Sequence, residues 1–179
     1  VFDNPLGEAT GAGAIFGTTG GVMEAALRAA YELMTGEELK KVEFEQVRGE
    51  KGIKKATVQI GDKEVRVAVA HGLGNAKKIM EEIKSGKADF QFAEIMACPG
   101  GCIMGGGQPI KNSKIRASVD VRSKRAEAMY SIDERSTIRK SQDNPILKAI
   151  YKEYIGQPGE HRAHELLHTH YEKKEKYNF

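Results

Sequence analysis

Apolar positions along the chain change period several times, and each change predicts an element. Over residues 22–36 (VMEAALRAAYELMTG) they fall at Val22, Ala26, Ala29, Ala30 and Leu33, the spacing of one helix face, with Thr18 or Thr19 as cap and Gly36 as stop. The period then drops to two. KKVEFEQVRG, IKKATVQIGD and KEVRVAVAHG alternate apolar with charged residues, which predicts three strands, the last two a hairpin about Gly61-Asp62. Residues 75–85 (NAKKIMEEIKS) return to helical spacing and close at Gly86, and ADFQFAEIMA reads as a further strand, more continuously apolar and so buried at its end. Beyond Lys111 the texture is charged helix (RSKRAEAMYSIDERSTIRKS), then NPILKAIYKEYIG with Asn144 as cap and Pro145 at the first position. The sum is an α/β body followed by a helical arm. The glycine-rich start, ending in GTTGG, reads as a loop that must come close to something.

Composition narrows the classes. Of 179 residues, 40% are hydrophobic and 30% charged, yet the net charge is only +3, which gives no electrostatic footprint for nucleic acid. No apolar run approaches the roughly 18 residues of a membrane span, so a soluble protein is expected. The first residues lack both a signal peptide and an initiator Met, so the chain is expected to be a processed product or a part of something longer, and cytoplasmic.

Both cysteines lie in one stretch, FAEIMACPGGCIMGGGQP, at Cys98 and Cys102, with Gly100, Gly101, Gly105, Gly106 and Gly107 and two prolines around them. If helical, an i,i+4 pair holds its Cβ atoms about 5–6 Å apart. That is wider than the roughly 4 Å of a disulfide. Reduced thiols are therefore expected. A strand end leading through a glycine turn into a helix would aim two thiols at one object and surround it with backbone N–H groups. Thiolates favour soft metals and iron–sulfur clusters. The plainer alternative is a tight turn with two buried structural cysteines.

The same stretch resembles the third cysteine motif of the FeFe (iron-only) hydrogenases. GAGAIFGTTGGVMEAALR (residues 11–28) is similar to the family's glycine loop and helix over the cluster, VRGEKGIKKATVQIGDKEVRVAVAHGLGNAKKIM to its strand region, and residues 139–171 to its C-terminal arm, a separate small subunit in some members. The resemblance implies a small mixed β-sheet flanked by helices, the C-terminal lobe of the cluster domain, over residues 1–122, and a small-subunit-like helical arm over 123–179. It implies reversible oxidation of H2 to protons and electrons. The cofactors implied are a 4Fe–4S cluster and a di-iron subcluster carrying CO, cyanide and a dithiolate bridge. Cys98 is expected to bind the 4Fe–4S cluster and Cys102 to bridge it to the di-iron unit. Met96, Phe16 and Val22, with the backbone at Gly17, are expected to form apolar pocket walls that exclude water from low-potential iron.

The family's other two cysteine motifs are missing from these 179 residues, and a cubane needs four thiolates where this chain has two. The rest of the catalytic subunit is therefore an expected partner, with ferredoxin or NAD(P)H-linked subunits as electron partners, and the chain alone is not expected to turn over hydrogen. A non-catalytic scaffold in iron–sulfur sensing or assembly is the second reading.

Other motifs carry competing chemistry. His164-Glu165-Leu166-Leu167-His168 fits the H-E-x-x-H zinc helix, with His161 or His170 as third ligand, although an amphipathic helix explains it as well. Gly11, Gly13 and Gly17 do not match the spacing of a dinucleotide fingerprint. His71 is a candidate ligand or a structural histidine, and Glu94 a proton relay or a helix-capping or salt-bridged carboxylate. Gln108 is a candidate donor near the cluster or a cap, and the KKEKY tail a solvated face or docking peptide.

Overall fold

The computed structural model describes residues 7, 9–41, 43–48 and 52–175. They form two compact units, one ending at Asn144 and one beginning at Pro145.

The first unit opens with helix α1 (Gly11–Ile15), where the sequence predicted loop. Thr10 caps it, its hydroxyl accepting from the Gly13 amide at 3.1 Å. The glycines here serve close approach more than looseness: a Cβ at Gly11 would lie 2.1 Å from the Asp133 carboxylate. Helix α2 (Gly21–Thr35) follows and ends at Gly36 with φ +68°, as its pattern predicts. Its N-cap is Gly20, not a threonine: the Thr18 hydroxyl donates to the Ile15 carbonyl instead, at 2.8 Å.

Strands β1 (Ile53–Ile60) and β2 (Lys63–His71) form the antiparallel hairpin about Gly61-Asp62. Helix α3 (Leu73–Lys84) then carries the chain to β3 (Phe92–Met96), which runs parallel to β2. The sheet is small and mixed, in the order β1-β2-β3. Its central strand is covered on both faces. Val67 and Val69 point toward α2 in a core with Met23, Leu27, Phe44 and Val47, while Ala68 and Ala70 point the other way onto Ile79 of α3.

The strand expected from KKVEFEQVRG does not form among its described residues. Residues 45–47 make a single 3-10 turn, and residues 42 and 49 lie outside the described residues. Phe44 and Val47 are the buried pair, and a spacing of three suits a turn, not a pleat. The last predicted strand is also shorter than ADFQFAEIMA, starting only at Phe92.

Helix α4 (Ser113–Ser118) and helix α5 (Val121–Arg135) complete the first unit. A buried ion network joins α5 to α2. The Arg28 guanidinium donates to both Asp133 oxygens at 2.8 Å and to Glu24 at 2.8 Å, with all three side chains fully buried. Arg139 adds a bond to Asp133 at 2.6 Å, and Arg48 holds Glu24 at 2.7 Å. Burial pushes the Asp133 carboxyl upward, but the hydrogen bonds from Arg28 and Arg139 outweigh it and hold it below the ordinary aspartate value.

The second unit contains helix α6 (Pro145–Ile150), which starts at Pro145 as predicted and continues as a wide π turn over Tyr151–Ile155. Helix α7 (His161–Leu167) follows. Lys173–Glu175 of the tail are exposed, and the rest of KKEKY lies outside the described residues.

Candidate metal centre

β3 delivers the cysteine segment. The strand ends at Met96, and the chain turns through Gly100 (φ +89°) and Gly101 (φ +97°) into a 3-10 turn over Cys102–Met104. The full helical turn expected after Cys98 is therefore replaced by tighter winding. Backbone bonds close it locally, Gly101 N–H to the Cys98 carbonyl at 3.0 Å and Gly105 N–H to the Cys102 carbonyl at 2.9 Å.

A second turn, Phe16 to Gly20 between α1 and α2, is laced to this segment. The Thr19 amide donates to the Gly100 carbonyl at 3.2 Å, and the Ile103 amide donates to the Gly17 carbonyl at 3.0 Å. The approach is so close that a Cβ on Gly101 would lie 2.6 Å from the Gly17 oxygen. Two arginines of α5 brace the far side. Arg125 donates to the Ile103 and Pro109 carbonyls at 2.7 Å each, and Arg122 packs its stem on Gly100, where a Cβ would lie 2.8 Å from Cδ. Nothing in the sequence of α5 marks these arginines out from its other charges.

Glu94 of β3 is buried and caps α2 from the sheet face that α2 covers. Its oxygens accept from the Gly20 and Met23 amides, each at 2.7 Å. Burial raises its pKa, against the lowering effect of the amide hydrogen bonds. Of its expected roles, the cap is the one the contacts display.

Both thiols are free. Cys98 is half-buried and Cys102 exposed, so they are not a buried structural pair. The donor set suits iron: two soft sulfurs on one glycine-walled turn, with Gly105 bare where a Cβ would come 3.7 Å from the Cys98 sulfur. It suits only part of a cluster, since no group of three or more His, Cys, Asp or Glu placed to hold a metal ion occurs among the described residues.

The expected wall residues are tied to the thiol segment through the backbone. Phe16, 45% exposed, precedes Gly17; Met96, half-buried, lies two residues before Cys98; Val22, half-buried, sits between the two amides held by Glu94. Gln108, near the end of the segment, lines a cleft of about 900 Å³ with Met104, Arg116 and Arg125.

The remaining candidates do not join this site. His71 is buried at the end of β2, its backbone bonded to Gly52 and Asn75. In H-E-L-L-H, α7 ends at Leu167, so His168 leaves the helix with extended backbone. Its ring lies against His164, centroids 4.6 Å apart, and Glu165 faces His161 at 3.6 Å. That arrangement gives no support to a zinc hydrolase.

Two family models match the chain. One is described as iron only hydrogenase large subunit, C-terminal domain, over residues 1–106, and the other as iron hydrogenase small subunit, over residues 119–174. The chain is 51% identical over 175 residues to the NADP-reducing hydrogenase subunit HndD of Solidesulfovibrio fructosivorans, covering 98% of this chain and 29% of that protein. It is 30% identical over 161 residues to cytosolic iron-sulfur assembly component 3 of Mus musculus, covering 89% of this chain and 32% of that protein. A solved structure of a variant of the FeFe hydrogenase HydA1 from Chlamydomonas reinhardtii matches with a TM-score of 0.66 at 44% identity, over 95% of this chain and 48% of that one. The chain thus spans 29% and 32% of the length of these two curated relatives.

Proposed function

Because the chain belongs to the iron-only hydrogenase family, over the C-terminal domain of the large subunit and the small-subunit module, we propose that it supplies one half of a hydrogen-activating cluster site. The reaction is the reversible interconversion of H2 with protons and electrons. The observation that carries this reading is the lacing of the Gly17–Thr19 turn to the Gly100–Ile103 turn, which fixes a glycine wall against two free thiols.

Cys98 and Cys102, as thiolates, would hold from this side the 4Fe–4S cluster and, through Cys102, the di-iron subcluster with its CO, cyanide and dithiolate ligands. When bound, that assembly supplies the cleavage of H2 and accepts the two electrons. Met96, Phe16 and Val22 present apolar surface around the thiols, and Gly17 lends a backbone wall without a side chain. Their work is to keep water away from reduced iron. The two remaining thiolates, and the groups that move protons, come from the rest of the catalytic subunit. Electrons pass to ferredoxin or to NAD(P)H-linked subunits, in the cytoplasm. The lobe extends to about residue 122 and the small-subunit-like arm from 123; the break between the two family models, after 106 and before 119, lies just ahead of that division.

A second reading, a non-catalytic scaffold in iron–sulfur assembly, has the likeness to cytosolic iron-sulfur assembly component 3 in its favour. The 51% identity to a hydrogenase subunit against 30% to that protein ranks it second.

The test is iron and zinc per chain, measured without oxygen for the chain alone and together with the rest of its subunit. Iron found only in the complete protein and lost with Cys102→Ser supports the half-site. Stoichiometric iron with no H2 turnover in the complete protein supports the scaffold, and stoichiometric zinc on the isolated chain overturns both.

A further inference from the structure

The start of α2 is held from outside its own sequence. Its N-cap, Gly20, has no side chain, and φ +87° there keeps the chain in a conformation that suits glycine. Thr18 spends its hydroxyl proton on Ile15, and the Thr19 hydroxyl has no hydrogen-bond partner among the described residues. The first amides of a helix need acceptors. Glu94 supplies two of them, from 74 and 71 residues downstream, one oxygen to Gly20 and one to Met23.

The choice of a carboxylate follows from that geometry. A carboxylate has two acceptor oxygens and no donor, so it can face two N–H groups at once, whereas an amide must turn an NH2 toward one of them. The positive end of the α2 dipole adds to the match. Side chains alternate along a strand, so Glu94 shares its face of β3 with Met96. Two residues later the same strand has become Cys98. The stretch from Phe16 to Met23 is thus anchored twice. The Gly17–Ile103 and Thr19–Gly100 bonds hold its thiol end, and Glu94 holds its strand end.

We propose that Glu94 is a positioning residue of the pocket: its carboxylate sets the Phe16–Val22 wall in fixed register against the strand and turn that carry Met96, Cys98 and Cys102. This rests on the cluster reading above. It assigns Glu94 no contact with reacting atoms.

The experiment is Glu94→Gln in the complete hydrogenase subunit, matured without oxygen, beside Ile79→Ala, which destabilises the α3 core away from the two turns. Three signals are read: iron per chain, hydrogen exchange at the Gly20 and Met23 amides, and the infrared bands of iron-bound CO and cyanide. Glu94→Gln is expected to keep its iron, to exchange at these amides at least about tenfold faster, and to shift or split the bands, while Ile79→Ala leaves the bands in place. Faster exchange with unmoved bands makes Glu94 a helix cap only and overturns the proposal, as does unchanged exchange. If Glu94→Gln fails to fold, Glu94→Asp, which keeps the charge but loses a methylene of reach, is read by the same signals. Absence of iron from the parent protein sinks the hydrogenase reading and the positioning role with it; an iron-loaded parent with unmoved bands in the variant sinks the positioning role alone.

Discussion

The Cα of Gly101 stands so close to the Gly17 carbonyl that a Cβ between them would be 2.6 Å from the oxygen, and the backbone of Gly101 sits at φ +97°. Two turns 84 positions apart are therefore shaped to each other. Gly101→Ala is expected to cost about 1–3 kcal/mol through backbone strain alone, with the displaced carbonyl adding to it. Gly106→Ala, with nothing within 4 Å and no positive φ, is expected to stay within about 0.5 kcal/mol. Denaturant midpoints of the two variants measure the difference, and equal midpoints would remove the clasp from the argument.

Asp133→Ala is expected to be among the most damaging substitutions in the chain. It strips two hydrogen bonds from the buried Arg28 guanidinium, while its bonds to Glu24, which Arg48 also holds, and to the Arg139 carbonyl remain. Breaking one partner from a buried pair costs about 3–5 kcal/mol. Equilibrium unfolding against the parent is the measurement, and a loss under about 1 kcal/mol would mean the network is not the lock it resembles.

Stability should fall in acid through Glu32. Lys140 donates to its carboxylate at 2.5 Å, and that bond, helped by the Leu39 amide and Gln142, lowers its pKa to about 2 from an ordinary 4.5. A depressed carboxylate stabilises the fold at pH values above its unfolded pKa and loses that contribution as pH falls toward the folded one. Glu32→Gln should thus be less stable than the parent at pH 7, with the gap closing between about pH 4.5 and 2. A gap that does not depend on pH would assign the stabilisation to packing.

In the iron-free chain, both thiols should react with an alkylating reagent without prior reduction, Cys102 before Cys98. The first is exposed and the second half-buried. Mass spectrometry of partially labelled protein reads the order. Resistance of both until a reductant is added would mean a disulfide, and would contradict the free pair.

The parts legible in the sequence are those with local causes. The hairpin is written in Gly61-Asp62 between alternating runs, and α2 and α3 in their helical spacing and terminal glycines. The thiol pair and its glycines were equally open to view. What escaped depends on partners far along the chain. KKVEFEQVRG alternates like a strand, but Phe44 and Val47 are claimed by the core at a spacing of three. The glycines of α1 suggested a loop because the Asp133 carboxylate that Gly11 makes room for lies 122 residues beyond it. Glu24 and Arg28 form a readable i,i+4 pair, whereas Asp133, which completes it, has no local signature. Glu94 could be read as relay or cap until its two amides, more than 70 residues away, were located.

The Arg28–Asp133 bond spans 105 residues of chain, and this has a consequence for the order of events at birth. A ribosome adding about 5–20 residues per second makes Arg28 several seconds before Asp133 exists. Through that interval Arg28 has its neighbour Glu24 but not Asp133, so the ion network that joins α2 to α5 is only half assembled. Hydrophobic collapse of the sheet onto α2 can begin early, but sealing of the thiol turn waits for α5, which brings Arg122 and Arg125 together with Asp133. The helix that shuts the first unit is thus made after the strands and turns it covers, and the wall around the cysteines hardens only once α5 is in place.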